Sequence, residues 1–344
     1  SEMCIRDRLK DGKAVAKPLH CYSNDSINHF SIAWNDSLFM EGWEVKCVSD
    51  TRPPFYEITE VKPLNNATPH ALFIDLGASA SDVWVVNDGY WGIAVTEGQR
   101  YNFQFYLFTE ELKNTVVTAA LLDREEQIVV SKNFQIERDG SWNHYEGTFT
   151  VDTTANDLRF ALLLPHKGKV YIDFVSMFPE NTFCGHKNGL REDVAGMLRD
   201  LRPDFVRWPG GCIVEGLTMD NRIKWKETIG DIVKRPGEYN LWGYRSTYGF
   251  GYHEFLQFCE DIDADGMFVC NAGMSCLFRN GDYWEEENRI DNLIQDALDA
   301  IEYALGDTTT VYGKRRAENG HAAPFPLKYL SLIHISEPTR LQLI

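Results

Sequence analysis

The stretch Glu192-Asp193-Val194-Ala195-Gly196-Met197-Leu198-Arg199-Asp200-Leu201-Arg202-Pro203-Asp204-Phe205-Val206-Arg207-Trp208-Pro209-Gly210-Gly211 sets two periodicities side by side. Val194, Met197, Leu198 and Leu201 stand at helical spacing, which predicts a helix with those four residues turned inward. Pro203 lacks the N–H a helix needs and ends it. Phe205-Val206-Arg207-Trp208 then reads as a short strand, closed by a charged residue and a Gly-Gly turn. Toward the carboxyl end the alternation repeats. A helix is expected over Tyr252–Ile262, with Phe255, Leu256, Cys259 and Ile262 inward, and a strand over Met267–Asn271. Ile290, Leu293, Ile294, Ala297, Leu298, Ile301 and Leu305 follow the i, i+3, i+4, i+7 rule, and Leu327–Ile335 would be a further strand. Helices alternating with short apolar strands indicate a parallel sheet covered by helices. The leading architecture is a β/α barrel of the TIM type, incomplete because only about three strands are read where eight are needed.

Toward the amino end the rhythm is different. In Tyr101-Asn102-Phe103-Gln104-Phe105-Tyr106-Leu107, residues 101, 103, 105 and 107 fall on one face of a strand. Comparable runs are Ala71–Leu76, Thr115–Leu122, Gln127–Val130, His144–Val151, Leu158–Leu164 and Val170–Met177, enough for a β-sandwich. The expected organisation is therefore an uncertain segment over 1–30, a β-sandwich over 31–179, a partial β/α barrel over 180–330 and a tail over 331–344.

Composition narrows the function. Against 34 Lys and Arg stand 51 Asp and Glu, a net charge of -17. That field repels polyanions, so nucleic acid is not an expected partner. No apolar run approaches the roughly 20 residues that cross a bilayer, so a membrane is not expected either. The eight cysteines (Cys4, Cys21, Cys47, Cys184, Cys212, Cys259, Cys270 and Cys276) contain no C-x-x-C pair, which removes the usual zinc and redox spacings and leaves buried thiols as the expectation. His253-Glu254 has no second His four residues on, Gly249-Phe250-Gly251 lacks the third glycine of a dinucleotide loop, and no Walker or G-x-S-x-G sequence occurs. No metal or organic cofactor is expected. The start, Ser1–Arg8, has no apolar signal-peptide core.

In a β/α barrel, reactive groups gather where strands end, because loops there vary without disturbing the core. Three places qualify. Arg207 with Gly210 and Gly211 could meet vicinal hydroxyls or simply pair with a carboxylate at a tight turn. The long connection from Ile213 to Gly251 carries Trp225, Tyr239, Trp242, Tyr244, Tyr248 and Phe250 interleaved with Arg222, Lys224, Lys226, Arg235 and Arg245; it could wall a groove or fold its rings inward. Asn271, directly after an apolar strand, could orient a sugar hydroxyl or cap the turn.

Beyond spacing, the runs Asn188–Glu192 (NGLRE), Phe205–Gly216 (FVRWPGGCIVEG), Trp225–Gly237 (WKETIGDIVKRPG), Asn240–Phe258 (NLWGYRSTYGFGYHEFLQF), Phe268–Ser275 (FVCNAGMS) and Asp291–Leu305 (DNLIQDALDAIEYAL) resemble the α-L-arabinofuranosidases of glycoside hydrolase family 51. Trp91-Gly92-Ile93 and Val175–Pro179 extend the likeness into the sandwich. The resemblance implies a carbohydrate-binding-module-like sandwich ahead of the barrel, and retaining hydrolysis of arabinofuranosyl side chains by two glutamates about 5–5.5 Å apart. Arabinose-containing plant polysaccharides or oligosaccharides are the implied partners, and an extracellular or periplasmic address the implied location. It also implies substrate-pocket roles for Arg207, Cys212 and Asn271. Where the family continues into Gly-Asn-Glu after Leu327-Lys328-Tyr329-Leu330, this sequence reads Ser331-Leu332-Ile333-His334-Ile335-Ser336-Glu337-Pro338. No catalytic role passes to Glu337, the nucleophile has no counterpart, and negligible hydrolysis is expected of the 344 residues alone. Ser1–Arg8 and Ser331–Ile344 read as foreign peptide. The readings left beside this one are a non-catalytic polysaccharide-binding module and another retaining glycosidase such as a xylosidase.

Overall fold

Apart from a short ribbon, β1 (Arg8–Lys10) paired with β2 (Lys13–Ala16), the computed structural model describes residues 42–48, 54–78, 81–89, 91–112, 115–137, 140–165, 167–240, 242, 245–277, 283 and 286–333. Cys4, Cys21, Tyr244, the segment 28–39 and Glu337 lie outside them. The chain divides into two compact units, Trp34–Ala195 on the one hand and Gly196 onward together with the first 33 residues on the other.

Eleven antiparallel strands build the first unit: β3 (Trp43–Cys47), β4 (Phe55–Thr59), β5 (Ala71–Asp75), β6 (Val83–Asn87), β7 (Ile93–Val95), β8 (Arg100–Phe108), β9 (Val116–Leu122), β10 (Ile128–Gln135), β11 (Trp142–Thr150), β12 (Ala155–Leu164) and β13 (Lys169–Pro179). They form two sheets, β10-β9-β12-β6-β3 with β7 added on β12, and β11-β8-β13-β5-β4. The alternation read in the sequence decides which side chains go inside. Tyr101, Phe103, Phe105 and Leu107 of β8 are buried, and they share one core with Phe149, Leu121, Phe160, Leu162 and Ile172. Phe103 stacks on Phe149 at 4.1 Å, a geometry that adds to the area buried. Of the tryptophans, Trp43 packs against this core and Trp84 against a smaller cluster, whereas Trp91 is 92% exposed.

In the second unit the order is α1 (Glu192–Asp200, beginning just before the division), β14 (Phe205–Trp208), α2 (Gly211–Glu215), β15 (Glu238–Tyr239), β16 (Arg245–Ser246), α3 (Tyr252–Asp261), β17 (Asp265–Cys270), α4 (Glu287–Leu305), α5 (Val311–Glu318) and β18 (Leu327–Leu332). β14, β17 and β18 lie parallel in that order, with Arg207 opposite Met267 and Val269 opposite Ser331. One face of this sheet is covered: Val206, Trp208, Phe268, Cys270 and Leu327 pack with Tyr252, Phe255 and Leu256 of α3 and with Ala300, Tyr303 and Ala304 of α4. The other face carries Phe205 and Tyr329, their rings 6.2 Å apart and both largely exposed.

Three expectations are corrected here. Val194, Met197, Leu198 and Leu201 are all exposed rather than inward. α1 leads into β14, the sheet's edge, and among the described residues no strand lies beyond that edge for the stripe to cover. On α4 the contact surface is narrower than the apolar stripe, so Ile294, Leu298 and Leu305 are exposed while Ala297 and Ile301 pack inward. Among the cysteines, Cys47, Cys259, Cys270 and Cys276 are buried, but Cys184 is exposed and Cys212 half-buried. Burial pushes the Cys259 and Cys270 thiols up to about 12, so both stay protonated and unreactive at neutral pH. No described helix is long and apolar enough to cross a membrane.

Candidate functional site

Since α3 and α4 cover the face of Trp208 and Phe268, Arg207 stands on the opposite face, the one that points inward in a closed barrel. It is exposed. Beyond Trp208 the chain runs through Pro209, Gly210 and Gly211 into α2, a helix of a turn and a half. Gly210 has φ +103, a conformation L side chains rarely adopt, and a Cβ there would meet nothing within 4 Å. The glycine is needed for its backbone rather than for space.

Asn271 follows β17 and has all four hydrogen-bonding positions engaged. Its Nδ2 donates to Val214 O and Met274 O, both at 2.9 Å, and its Oδ1 accepts from the N–H groups of Gly273 at 2.6 Å and Met274 at 3.1 Å. The amide thus closes its own turn and ties that turn to α2, the local role weighed beside the sugar contact. We expect Asn271→Ala to cost about 2 kcal/mol, and Asn271→Asp a similar amount because a carboxylate oxygen would face two carbonyls. Denaturant unfolding of the chain checks this; an unchanged midpoint in both variants refutes the locking role.

Cys212, at the start of α2, lies with Glu215 and Cys276, their ligand atoms all within 4.8 Å of one another. The structure therefore places Arg207, Cys212 and Asn271 at the carboxyl ends of neighbouring strands, but on different contacts. The small cleft lined by Asn271 is bounded by Pro209, Arg222, Trp225, Leu293 and Asp296, not by Arg207 or Cys212.

Of the long connection, much is structural. Trp225 is buried and its Nε1 donates to Asp296 O at 2.9 Å; Tyr248 is also buried. Lys226 donates to Asp296 at 2.6 Å and to Asp299. Burial pulls its ammonium down, but the bonds to Asp296 and Asp299 outweigh that and hold it above the ordinary lysine range. Arg222 donates to Met219 O, and burial lowers its pKa. Arg235 is buried against Glu254. Phe250, 39% exposed, still faces solvent. No Asp or Glu stands among the four residues after β14 or after β17.

Comparison with known proteins adds what this geometry leaves open. The model of an α-L-arabinofuranosidase 1 domain matches residues 197–334, and that of a carbohydrate binding domain matches 76–168. An extracellular exo-α-L-arabinofuranosidase of Streptomyces chartreusis is 36% identical over 272 residues, 76% of this chain. The chain carries an α-L-arabinofuranosidase domain. It is also 35% identical over 258 residues to α-L-arabinofuranosidase 1 of Arabidopsis thaliana, and 31% over 296 residues to α-L-arabinofuranosidase A of Aspergillus niger. Against these three arabinofuranosidases the chain spans 32%, 37% and 44% of their length. An arabinose-bound family 51 α-L-arabinofuranosidase, MgGH51, superposes with a TM-score of 0.77 at 27% identity, covering 85% of this chain and 47% of that one. The fold is thus a carbohydrate-binding-type sandwich followed by part of a TIM-type barrel, as the family resemblance implies.

What sequence reasoning missed in this arabinofuranosidase domain is the meeting of Cys212 with Cys276. No spacing rule joins residues so distant in the chain; the only cue was that each follows a strand end by a few residues, where loops converge.

Proposed function

We propose that the protein of which these residues are part is a retaining α-L-arabinofuranosidase that removes terminal arabinofuranosyl units from arabinan or arabinoxylan. The observation that carries the reading is the 36% identity to an arabinofuranosidase over a stretch that includes the Arg207–Cys212 strand end. In this reading Arg207 and Cys212 meet the sugar, and Asn271 contributes through the turn it fixes. Retention requires two carboxylates about 5–5.5 Å apart. β14 and β17 supply neither, so the described residues bind and position while hydrolysis by the 344-residue chain alone is not expected. An extracellular or periplasmic location fits a polymer substrate and agrees with the extracellular relative. The test is hydrolysis of an aryl α-L-arabinofuranoside by the full gene product and by its Arg207→Ala form. Release of arabinose that falls at least about tenfold in kcat/KM in the variant supports the reading; no release by the full product sinks it.

A second reading, polysaccharide binding by the sandwich, is favoured by the outer face of the β11-β8-β13-β5-β4 sheet. Tyr106 stacks on His144 with ring centres 4.6 Å apart, and His144 Nε2 meets Gln104 Oε1 at 2.8 Å. Next along the same strands Thr148 donates to Asn102 at 2.7 Å, and across the sheet Phe73 lies 5.0 Å from Tyr171. Flat rings alternating with amides and hydroxyls suit a sugar chain. Affinity electrophoresis in arabinoxylan distinguishes the cases: retardation abolished by Tyr106→Ala supports binding at this face, and an unretarded wild-type band rejects it.

A further inference from the structure

We propose that Cys212, Glu215 and Cys276 form a binding site for a zinc-type divalent ion, with two thiolates and one carboxylate as ligands and a fourth position open to solvent. The site goes beyond the arabinofuranosidase reading but shares Cys212 with it, so a bound ion and a sugar would compete for that thiol.

The chemistry begins with the donor set. Thiolate sulfur selects soft or borderline ions, and a carboxylate completes a set that zinc accepts in tetrahedral geometry. Zn–S bonds of about 2.3 Å and Zn–O bonds of about 2.0–2.2 Å place the ligand atoms of one tetrahedron roughly 3.5–3.8 Å apart. In this chain the two sulfurs and a carboxylate oxygen already lie within 4.8 Å of one another. That upper bound exceeds the tetrahedral spacing by about 1.0–1.3 Å, a gap on the scale of side-chain rotation.

Backbone geometry holds the three residues there. Cys212 and Glu215 are three positions apart on α2, which brings them to one side of the helix. Gly216 N–H donates to Cys212 O at 2.8 Å, closing the turn that carries both. The third ligand is pinned by its own main chain, Cys276 N–H donating to Gly216 O at 3.0 Å. Asn271 Nδ2 on Val214 O adds a second tie between the same two segments. An ion would therefore meet a site ordered in advance, which reduces the entropy lost on binding.

Burial also fits. Glu215 is 2% and Cys276 1% exposed, whereas Cys212 is half-buried and leaves a way in. Two thiolates and a carboxylate carry three negative charges, which in a buried site favour either protons or a cation as the counter-charge. Binding should consequently weaken below neutral pH, as protons compete for sulfur.

The test uses the 344-residue chain, reduced and freed of metal with a chelator, then titrated with Cd2+ as a thiolate-sensitive probe and with Zn2+ in competition against a chromogenic chelator. The expected result is one ion per chain, a thiolate-to-metal charge-transfer band, and at least a 100-fold loss of affinity in Cys212→Ser and in Cys276→Ser. Glu215→Gln weakens binding while keeping the band, and Cys184→Ser, which removes an exposed thiol outside the site, changes nothing. X-ray absorption of the zinc form should give two sulfur neighbours, a readout on the unaltered chain that does not depend on any variant folding. The proposal is overturned by absence of the band in the wild type, by unchanged Cd2+ affinity in Cys212→Ser, by loss of the band in Cys184→Ser, or by a zinc shell without sulfur.

Discussion

Arg316→Ala is expected to destabilise the barrel unit by about 3–5 kcal/mol, the cost typical of emptying a buried, fully bonded charged position. Arg316 lies on α5, has no exposed surface, and is the largest fully buried side chain described. All five of its N–H groups reach main-chain oxygen. Nε donates to His321 O at 3.1 Å, Nη1 to Tyr303 O at 2.8 Å and Ala304 O at 3.2 Å, and Nη2 to Gly306 O and Ala322 O at 2.9 Å each. Tyr303, Ala304 and Gly306 belong to the end of α4, where the last carbonyls have no helical partner and carry the negative end of the helix dipole. A guanidinium serves them as a cap and as a counter-charge together. Alanine would leave five oxygens facing a void. Lysine keeps the charge but offers three donors from one point, so Arg316→Lys should recover only part of the loss. Denaturant titration read through amide exchange in α4 measures both. An Arg316→Ala chain within about 1 kcal/mol of the wild type would mean that water replaces the guanidinium at little cost.

The same residue explains why α5 escaped the sequence reading. Its eight residues, Val311–Glu318, carry no apolar stripe, because what anchors the helix is one buried arginine. Period-based reading finds elements that pack by apolar contact, and β8, α3, β17 and α4 were legible for that reason. It also missed β3 and β4, short strands whose runs are broken by charged residues such as Glu44, Lys46 and Glu57, and β6, whose Val83-Trp84-Val85-Val86 run is too short to show a period. At the site, the strand ends were legible and the partners were not. Arg207 and Asn271 could be placed at their strand ends from sequence, yet nothing local tells that the Asn271 amide is wholly engaged in its own turn. Arg235 looked like one of several basic residues along a groove, and it is buried at 5% exposure.

Replacement of that arginine carries the second large effect: Arg235→Ala is expected to cost about 3–5 kcal/mol and to loosen the long connection after α2. Its fork meets Glu254 in two bonds, Nη2 to Oε1 at 2.8 Å and Nη1 to Oε2 at 3.0 Å, a pairing stronger than single neutral hydrogen bonds. The remaining donors bind Gly230 O, from Nε at 3.2 Å and from Nη2 at 2.7 Å, and Tyr248 O at 2.8 Å. Glu254 in turn accepts Gly251 N–H at 2.9 Å, so one carboxylate holds both the arginine and the first turn of α3. Close packing at that turn leaves little slack, since a Cβ on Gly251 would lie 1.9 Å from Thr228 O. Both ends of the loop segment 230–248 are thereby fastened to one helix start through one ion pair. Glu254→Gln keeps the size but removes the charge, and the double variant should show a coupling of at least about 2 kcal/mol with Arg235→Ala, because either change alone strands the other partner in a poorly hydrated place. The cycle is read from urea midpoints with unchanged slopes. Additive losses would mean that the two side chains act separately, the arginine on the loop carbonyls and the glutamate on the helix start, and that the connection above the Arg207–Cys212 strand end is held in place by packing of Trp225 and Tyr248 instead.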